Sequence, residues 1–425
     1  MLTNGCWEVR KMSIFVSKRV ISLLIVAIFA LSSTSLAESA KKTTITVLMP
    51  IGGGYTIEDQ QDLAVAFEKE YPDVKVNMVF VGWDALWDKI VISAGARAAP
   101  DVIYIGSRWI PALADLGVII PLDRYITPEK REMYPKAVWD TVMYRGETWG
   151  VVRAMSTKCF LYNKELFAKY GAREPSDWDT LLEAMMRCHN PPESYGIGLA
   201  GKRFISTVSQ YQNYLYANGG GIVDEEGRAI INEPEAVEAL EFYAGLAKYS
   251  QPSPLEWKRE DLIELFSVGK IAMYIDHVHN AKEAMDKGID VGIFMIPKGP
   301  KGEAPYSTIQ VTDSVAISAQ SKHKDIAVEF INFMTNLKNQ AKFDELLGFI
   351  PPIIAEAELP AFQKWYWKPF IEVAKYGVPE AVGILDWEAT QDAILTAIQK
   401  VLLGKSSADK ALNDAARTIN LLQGL

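Results

Sequence analysis

The chain has 425 residues, with 53 acidic against 44 basic side chains, a formal net charge of -9 and 49% hydrophobic residues. That acidity, with no basic run anywhere, argues against nucleic acid and anionic membrane surfaces as partners, because both are bound through clustered Lys and Arg. The length exceeds what one hydrophobic core usually supports, so two lobes are expected.

In chain order, the first element is an apolar run from Val20 to Leu31, preceded by Lys18 and Arg19 and followed by small residues up to Ala37. A basic flank, a core shorter than the ~20 residues that span hydrocarbon, and Ser35 and Ala37 at cleavage spacing predict a secretory signal peptide over residues 1–37 rather than a membrane anchor. Glu38 follows where a lipoprotein would carry cysteine, so a periplasmic protein without a lipid anchor is expected. The residues before Met12 fit the scheme poorly, which points to Met12 as the start. Removing residues 1–37 takes away four basic residues and one acidic, moving the formal charge from -9 to -12. It also leaves Cys159 and Cys188, either one disulfide or two small buried hydrophobes.

Residues 44–49 read as a strand, Gly52 to Gly54 as a turn, 57–70 as an amphipathic helix, 74–80 as an alternating strand, 83–95 as a helix and 102–105 as an apolar strand. Strand and helix in alternation predict a parallel sheet covered on both faces. The alternation restarts at 157–162, with helices at 164–170, 178–187 and 235–249 and strands at 196–200 and 271–275. Strands around a Gly/Pro-rich loop fill 291–318, and helices follow, including 389–403. The fold class is therefore α/β, with two lobes and a cleft at the carboxyl ends of strands.

Several segments resemble extracellular solute-binding proteins, in their order as well as their residues. They are Phe67-Glu68-Lys69-Glu70-Tyr71-Pro72-Asp73, Ala99-Pro100-Asp101-Val102, 116–123, Tyr162-Asn163-Lys164-Glu165-Leu166-Phe167, 178–181, Phe266 to Met273 and 403–408. The nearest branch is similar to the maltose-type carbohydrate receptors of ABC importers. The resemblance implies a type II periplasmic binding fold, each lobe a mainly parallel sheet flanked by helices, that closes on its ligand without chemistry or cofactor. It implies lobes of 38–151 plus 278–333 and 152–277 plus 334–425. The partners it implies are a sugar or oligosaccharide and the permease subunits of an ABC transporter at the inner membrane, with a monomeric receptor. The alternatives are a non-sugar solute (polyamine, glycerol phosphate or peptide) and a secreted carbohydrate-active hydrolase, for which no nucleophile elbow or metalloprotease helix is present.

Sugars present hydroxyl rims and apolar faces, so aromatic rings and planar polar groups are the expected contacts. At the cleft implied by the fold, Tyr55, Trp83, Trp109, Tyr211 and Trp387 are the aromatic candidates. Asp84 is a ligand group, a helix N-cap, or both. Arg108 reads as a ligand group or a structural ion pair, and Arg153 as a cleft residue or a pin between lobes. Asp276 and His277, in Asp276-His277-Val278-His279, suit ligand hydrogen bonding or hinge structure better than a metal, for which no third ligand is evident. Gln310 and Asp313 occupy the segment where the family commonly contacts ligand, although its glycines are missing here. Asp386 takes a hydroxyl or caps the last long helix, with Trp387 as a stacking platform.

Overall fold

The computed structural model describes residues 42–51, 56–381 and 383–425. The first lobe is built from β1 (Thr43–Ile51), α1 (Ile57–Glu70), β2 (Val74–Gly82), α2 (Trp83–Gly95) and β3 (Val102–Gly106). β1 pairs in parallel with β2 from Thr43↔Val74 to Ile51↔Gly82, and with β3 through Val47↔Val102. Val47, Leu48 and Met49 are consecutive and all buried, as a parallel strand covered by helices on both faces requires. The Thr56 hydroxyl caps α1 by accepting the Asp59 N–H, and α1 turns Ala64 and Phe67 inward. The expected signal segment and Gly52 to Tyr55 lie outside the described residues. Among the described residues, no helix is long and apolar enough to cross a membrane.

β4 (Val151–Ser156) runs through Thr157 and Lys158 into β5 (Cys159–Asn163), the centre of the second lobe's sheet. There β6 (Met273–Asp276) and β7 (Val291–Phe294) flank β5, both antiparallel to it. Parallel neighbours enter only outside this ladder, where Tyr195 bridges Ile271 and Ile197 bridges Ser250. The two-lobed α/β architecture is as expected, but the ladder of the second lobe is antiparallel, because β5 is reached by a crossing strand and not by a strand-helix-strand turn. Its helices are α3 (Lys164–Tyr170), α4 (Trp178–Cys188), α5 (Ile205–Ala217), α6 (Pro234–Gly245), α7 (Arg259–Ser267) and α8 (Val278–Asp286). Cys159 and Cys188 are both buried and unbridged, and burial raises both thiols, Cys188 to about 12.

The return to the first lobe falls later than the expected position 278, because Val291–Phe294 pairs with Phe160–Asn163 and keeps that stretch in the second lobe. It is made within β9 (Tyr306–Ile317), which is twelve residues long. The first residues of β9 pair with β8 (Ile296–Pro297) and with β10 (Gly377–Pro379), whereas Val311 to Ile317 pair with β4 and β3. α9 (Lys324–Met334) then packs on α1, with Phe67 edge-on to Phe330 and Phe333 at 5.0 and 5.4 Å. The last crossing, expected at 334, also comes later. After α10 (Leu337–Leu347), Ile350 donates to the Met155 carbonyl and Ile354 to that of Met133, both in the first lobe. α11 (Trp387–Leu402) and α12 (Ala408–Gln423) pack on each other and against α6.

Candidate functional site

A cavity of 590 Å3 opens between the lobes. On the first lobe it is bounded by the carboxyl ends of the three parallel strands: Ile51 ends β1, Gly82 ends β2, and Arg108 and Trp109 follow β3. That is where parallel α/β sheets place their ligands. α2 starts at this edge and presents Trp83 and Trp87 one turn apart on the same face. Trp109 stands between them, its ring centroid 5.9 Å from Trp83 and 5.6 Å from Trp87. Three indoles therefore form one wall.

Arg108 lies between this cavity and a smaller one beside it. Its guanidinium lies 5.0 Å from the Trp109 ring centroid and 5.7 Å from that of Trp83, with Nη1 3.0 Å from Glu380 Oε2 and 3.5 Å from Asp313 Oδ1. Gly106 makes room for it, since a Cβ at that position would stand 2.7 Å from Arg108 Cζ. Burial outweighs the arginine at Asp313 and lifts that carboxyl to about 7. Glu380 belongs to the second lobe, where its backbone and side chain meet Gln212 and Ser209 of α5. Trp109 Nε1 donates to Glu388 Oε1 of α11 at 2.8 Å, and burial raises Glu388 as well. Two polar contacts thus bridge the lobes across one flank of the cleft. On the other flank Gly348, at φ 70°, lies so close to α8 that a Cβ would be 2.7 Å from His279 Cα.

The second lobe supplies the floor. Asp276 ends β6 fully buried, pairs with Arg259 and accepts from Asn280 Nδ2 at 2.6 Å and from the His277 N–H at 2.8 Å. Glu260 accepts from Ser206 and pairs with Arg259. Lys158, from the β4–β5 crossing, and His277 complete this side. Burial, together with the nearby Lys158 and Arg259, drives His277 well below its ordinary range, so its ring is neutral. The described residues contain no group of three or more His, Cys, Asp or Glu side chains placed to hold a metal ion.

The profile of the bacterial extracellular solute-binding protein family matches residues 53–341, more than half of the chain. The chain belongs to this family. A binding protein of Brucella abortus (strain 2308) is 30% identical over 397 residues, covering 91% of this chain and 95% of that one. The diacetylchitobiose binding protein DasA of Streptomyces coelicolor is 25% identical over 399 residues, covering 88% and 89%. Among solved structures, the solute-binding protein of Thermotoga lettingae TMO bound with alpha-D-tagatose superposes with a TM-score of 0.81 at 24% identity, covering 90% of this chain and all of that one, which establishes the shared fold.

In this solute-binding protein the expected site residues separate into three groups. Trp83, Asp84, Arg108, Trp109, His277 and Asp313 line the cleft. Asp276 and Gln310 stand behind it: Asp276 holds Arg259, and Gln310 borders a smaller cavity of 190 Å3 on the far side of Arg108. Tyr211, Trp387, Asp386 and Arg153 lie elsewhere. Tyr211 is fully buried and donates to the Ala236 carbonyl, because α5 turns Ser206 and Ser209 to the cleft and Tyr211 is two residues further on, on the opposite face. Asp386 is the N-cap of α11, accepting the Ala389 N–H, and that phase turns Trp387 into the core and Glu388 towards the cleft. Tyr55 lies outside the described residues. The cleft residues that the sequence reading missed include Trp87, Lys158, Ser206, Ser209, Lys258, Arg259, Glu260, Glu380, Glu388 and Gln391. Only Trp87 had a local signal, its i,i+4 spacing from Trp83.

Arg153 is a pin. It is buried on β4, donates from Nη1 to the Met334 carbonyl at 2.6 Å and to Gln340 Oε1 at 3.0 Å, and stacks over Phe343 at 3.7 Å. Gln340 in turn donates to Asp344 Oδ2 at 2.7 Å. Asp344 and Glu356 share this pocket with no exposure, and burial raises both carboxyls, Glu356 to about 7. The folded protein therefore keeps a proton here that the unfolded chain releases near pH 4.5. The resulting stability is full below that pH and is lost as the pH rises to about 7. Glu356→Gln should flatten this part of the profile, a difference of up to about 3 kcal/mol between pH 4.5 and 7.5. Urea titrations of both proteins across that range measure it, and parallel slopes would refute the shared proton.

Proposed function

We propose that this protein captures a sugar or oligosaccharide in the interlobe cleft and hands it to the permease of an ABC transporter, working outside the inner membrane as a monomer and performing no chemistry on its ligand. The observation that carries this reading is the indole wall of Trp83, Trp87 and Trp109 facing buried, ion-paired guanidinium and carboxylate groups. Rings stack on the apolar faces of a sugar while planar charged groups take its hydroxyls. The relative that binds diacetylchitobiose agrees with it. In this reading the N-terminal apolar run is a cleaved secretion signal. The lobes are 42–156 with 311–356, and 159–309 with 368–425, and they rock about the three crossings.

A thermal-shift screen against a panel of mono- and oligosaccharides tests it, since a ligand that binds only the folded state raises Tm by mass action. At least one sugar should raise Tm, and Trp83→Ala should weaken that sugar's binding by ~1–3 kcal/mol through lost stacking area. A panel in which only polyamines, phosphate esters or peptides raise Tm would displace the carbohydrate reading, and a chemically altered sugar would mark an enzyme.

A further inference from the structure

Among the described residues, the ion pairs of the cleft leave one cation over, and the exposed Asp84 at the rim is a carboxylate outside them. Arg108 serves Asp313 and Glu380, Arg259 serves Asp276 and Glu260, Lys258 stands 4.0 Å from Asp261, and Glu388 takes the Trp109 indole N–H. Lys158 lines the same cavity and is only 6% exposed. Its backbone is bonded on both sides by Thr308, but among the described residues no carboxylate oxygen comes within 4.0 Å of its ammonium and no acceptor takes its protons. Its ammonium meets the open cleft, so closure on a ligand that displaces water from it is costly unless the ligand supplies an acceptor.

The surroundings define what that ligand group is. Arg259 and His277 share the corner with Lys158; the His277 ring feels the positive charges of Lys158 and Arg259, and the carboxylate beside it, Asp276 with Oδ1 3.7 Å from Nε2, is already held by Arg259 and Asn280. The carboxylates nearest to Lys158 are already engaged. Asp276 is held by Arg259 and Asn280, Glu260 by Arg259 and Ser206, and Glu380 by Arg108. A hydroxyl would satisfy one donor of Lys158 and leave its charge uncompensated, whereas a carboxylate supplies both acceptor and counter-charge. We infer that the ligand carries a carboxylate that docks on Lys158 in the corner formed with Arg259 and His277, and that the cleft takes acidic sugars, uronic acids or oligosaccharides containing them. This rests on the carbohydrate reading above and narrows it.

The test is titration calorimetry of the protein with matched uronate and neutral disaccharides of the gluco and galacto series. At pH 7 the uronate of a pair should bind at least tenfold tighter than its neutral counterpart. Lys158→Met should remove that preference, bringing the uronate and its neutral counterpart to comparable affinity, and Lys158→Arg should retain it. The preference should also shrink by pH 9, because burial lowers the Lys158 ammonium to about 8. Equal or tighter binding of the neutral sugars, or an undiminished preference in Lys158→Met, overturns the inference while the carbohydrate reading stands. Binding of neither kind removes both.

Discussion

Arg108→Met is expected to lower the unfolding free energy by about 3–5 kcal/mol, the usual cost of removing one partner from a buried ion pair. The size follows from what is left behind. Glu380 and Asp313 are nearly inaccessible, with side-chain exposures of 5% and 9%, and Arg108 is the cation between them. Methionine fills much of the volume and keeps contact with Trp83 and Trp109, so the loss is electrostatic more than steric. Two consequences separate this account from simple loss of packing. Glu380→Gln in the Arg108→Met background should recover part of the stability, a coupling that a double-mutant cycle measures. The penalty should also shrink at pH 5, where Asp313, already at about 7 in the intact protein, is neutral. A pH-independent loss below 1 kcal/mol would show that the pair is not structural. Because Arg108–Glu380 joins the lobes, scattering of the ligand-free variant should also show a larger radius of gyration.

The halves of this site differ in how far they could be read from sequence. Trp83, Arg108 and Trp109 follow strands whose alternation and apolar runs are local signals, and a parallel sheet puts strand ends at the cleft. The second-lobe groups have no such marker. Glu380 reaches the cleft because residues 377–379 pair with β9, and Glu388 meets Trp109 across 279 positions of sequence. Ser206 and Ser209 look like any polar residues on a helix until the packing of Tyr211 and Tyr214 fixes which face is inward. Trp387 shows the limit at its sharpest. Its place at the head of the last long helix was legible, but the capping bond from Asp386 sets the helical phase, and one residue decides between cleft and core. The crossings between lobes lack a local marker for a similar reason: the first residues of β9 pair with β8 and β10 and the later ones with β4 and β3, and nothing in its twelve residues marks where its partners change.

Arg153→Met should destabilise the protein by a similar ~3–5 kcal/mol, and the effect should be larger at pH 7.5 than at pH 5. The arginine is the cation beside Asp344 and Glu356, and its charge lowers both carboxyls against a larger effect of burial. Without it the pair holds its proton more tightly still, which costs little where the pair is already protonated and most where the unfolded chain has released it. Glu356→Gln should therefore rescue Arg153→Met at pH 7.5 and have little effect at pH 5. Denaturant titrations of the four proteins at the two pH values decide this, and a double variant no more stable than Arg153→Met at pH 7.5 would show that the arginine acts through packing alone. The position gives the pin its importance. Nη1 ties β4, which runs straight into the crossing at Lys158, to the carbonyl of Met334 and to Gln340, on the helices that precede the last crossing. One buried guanidinium thereby fixes where two of the three interlobe segments leave the first lobe, so its loss should loosen the hinge as well as the core.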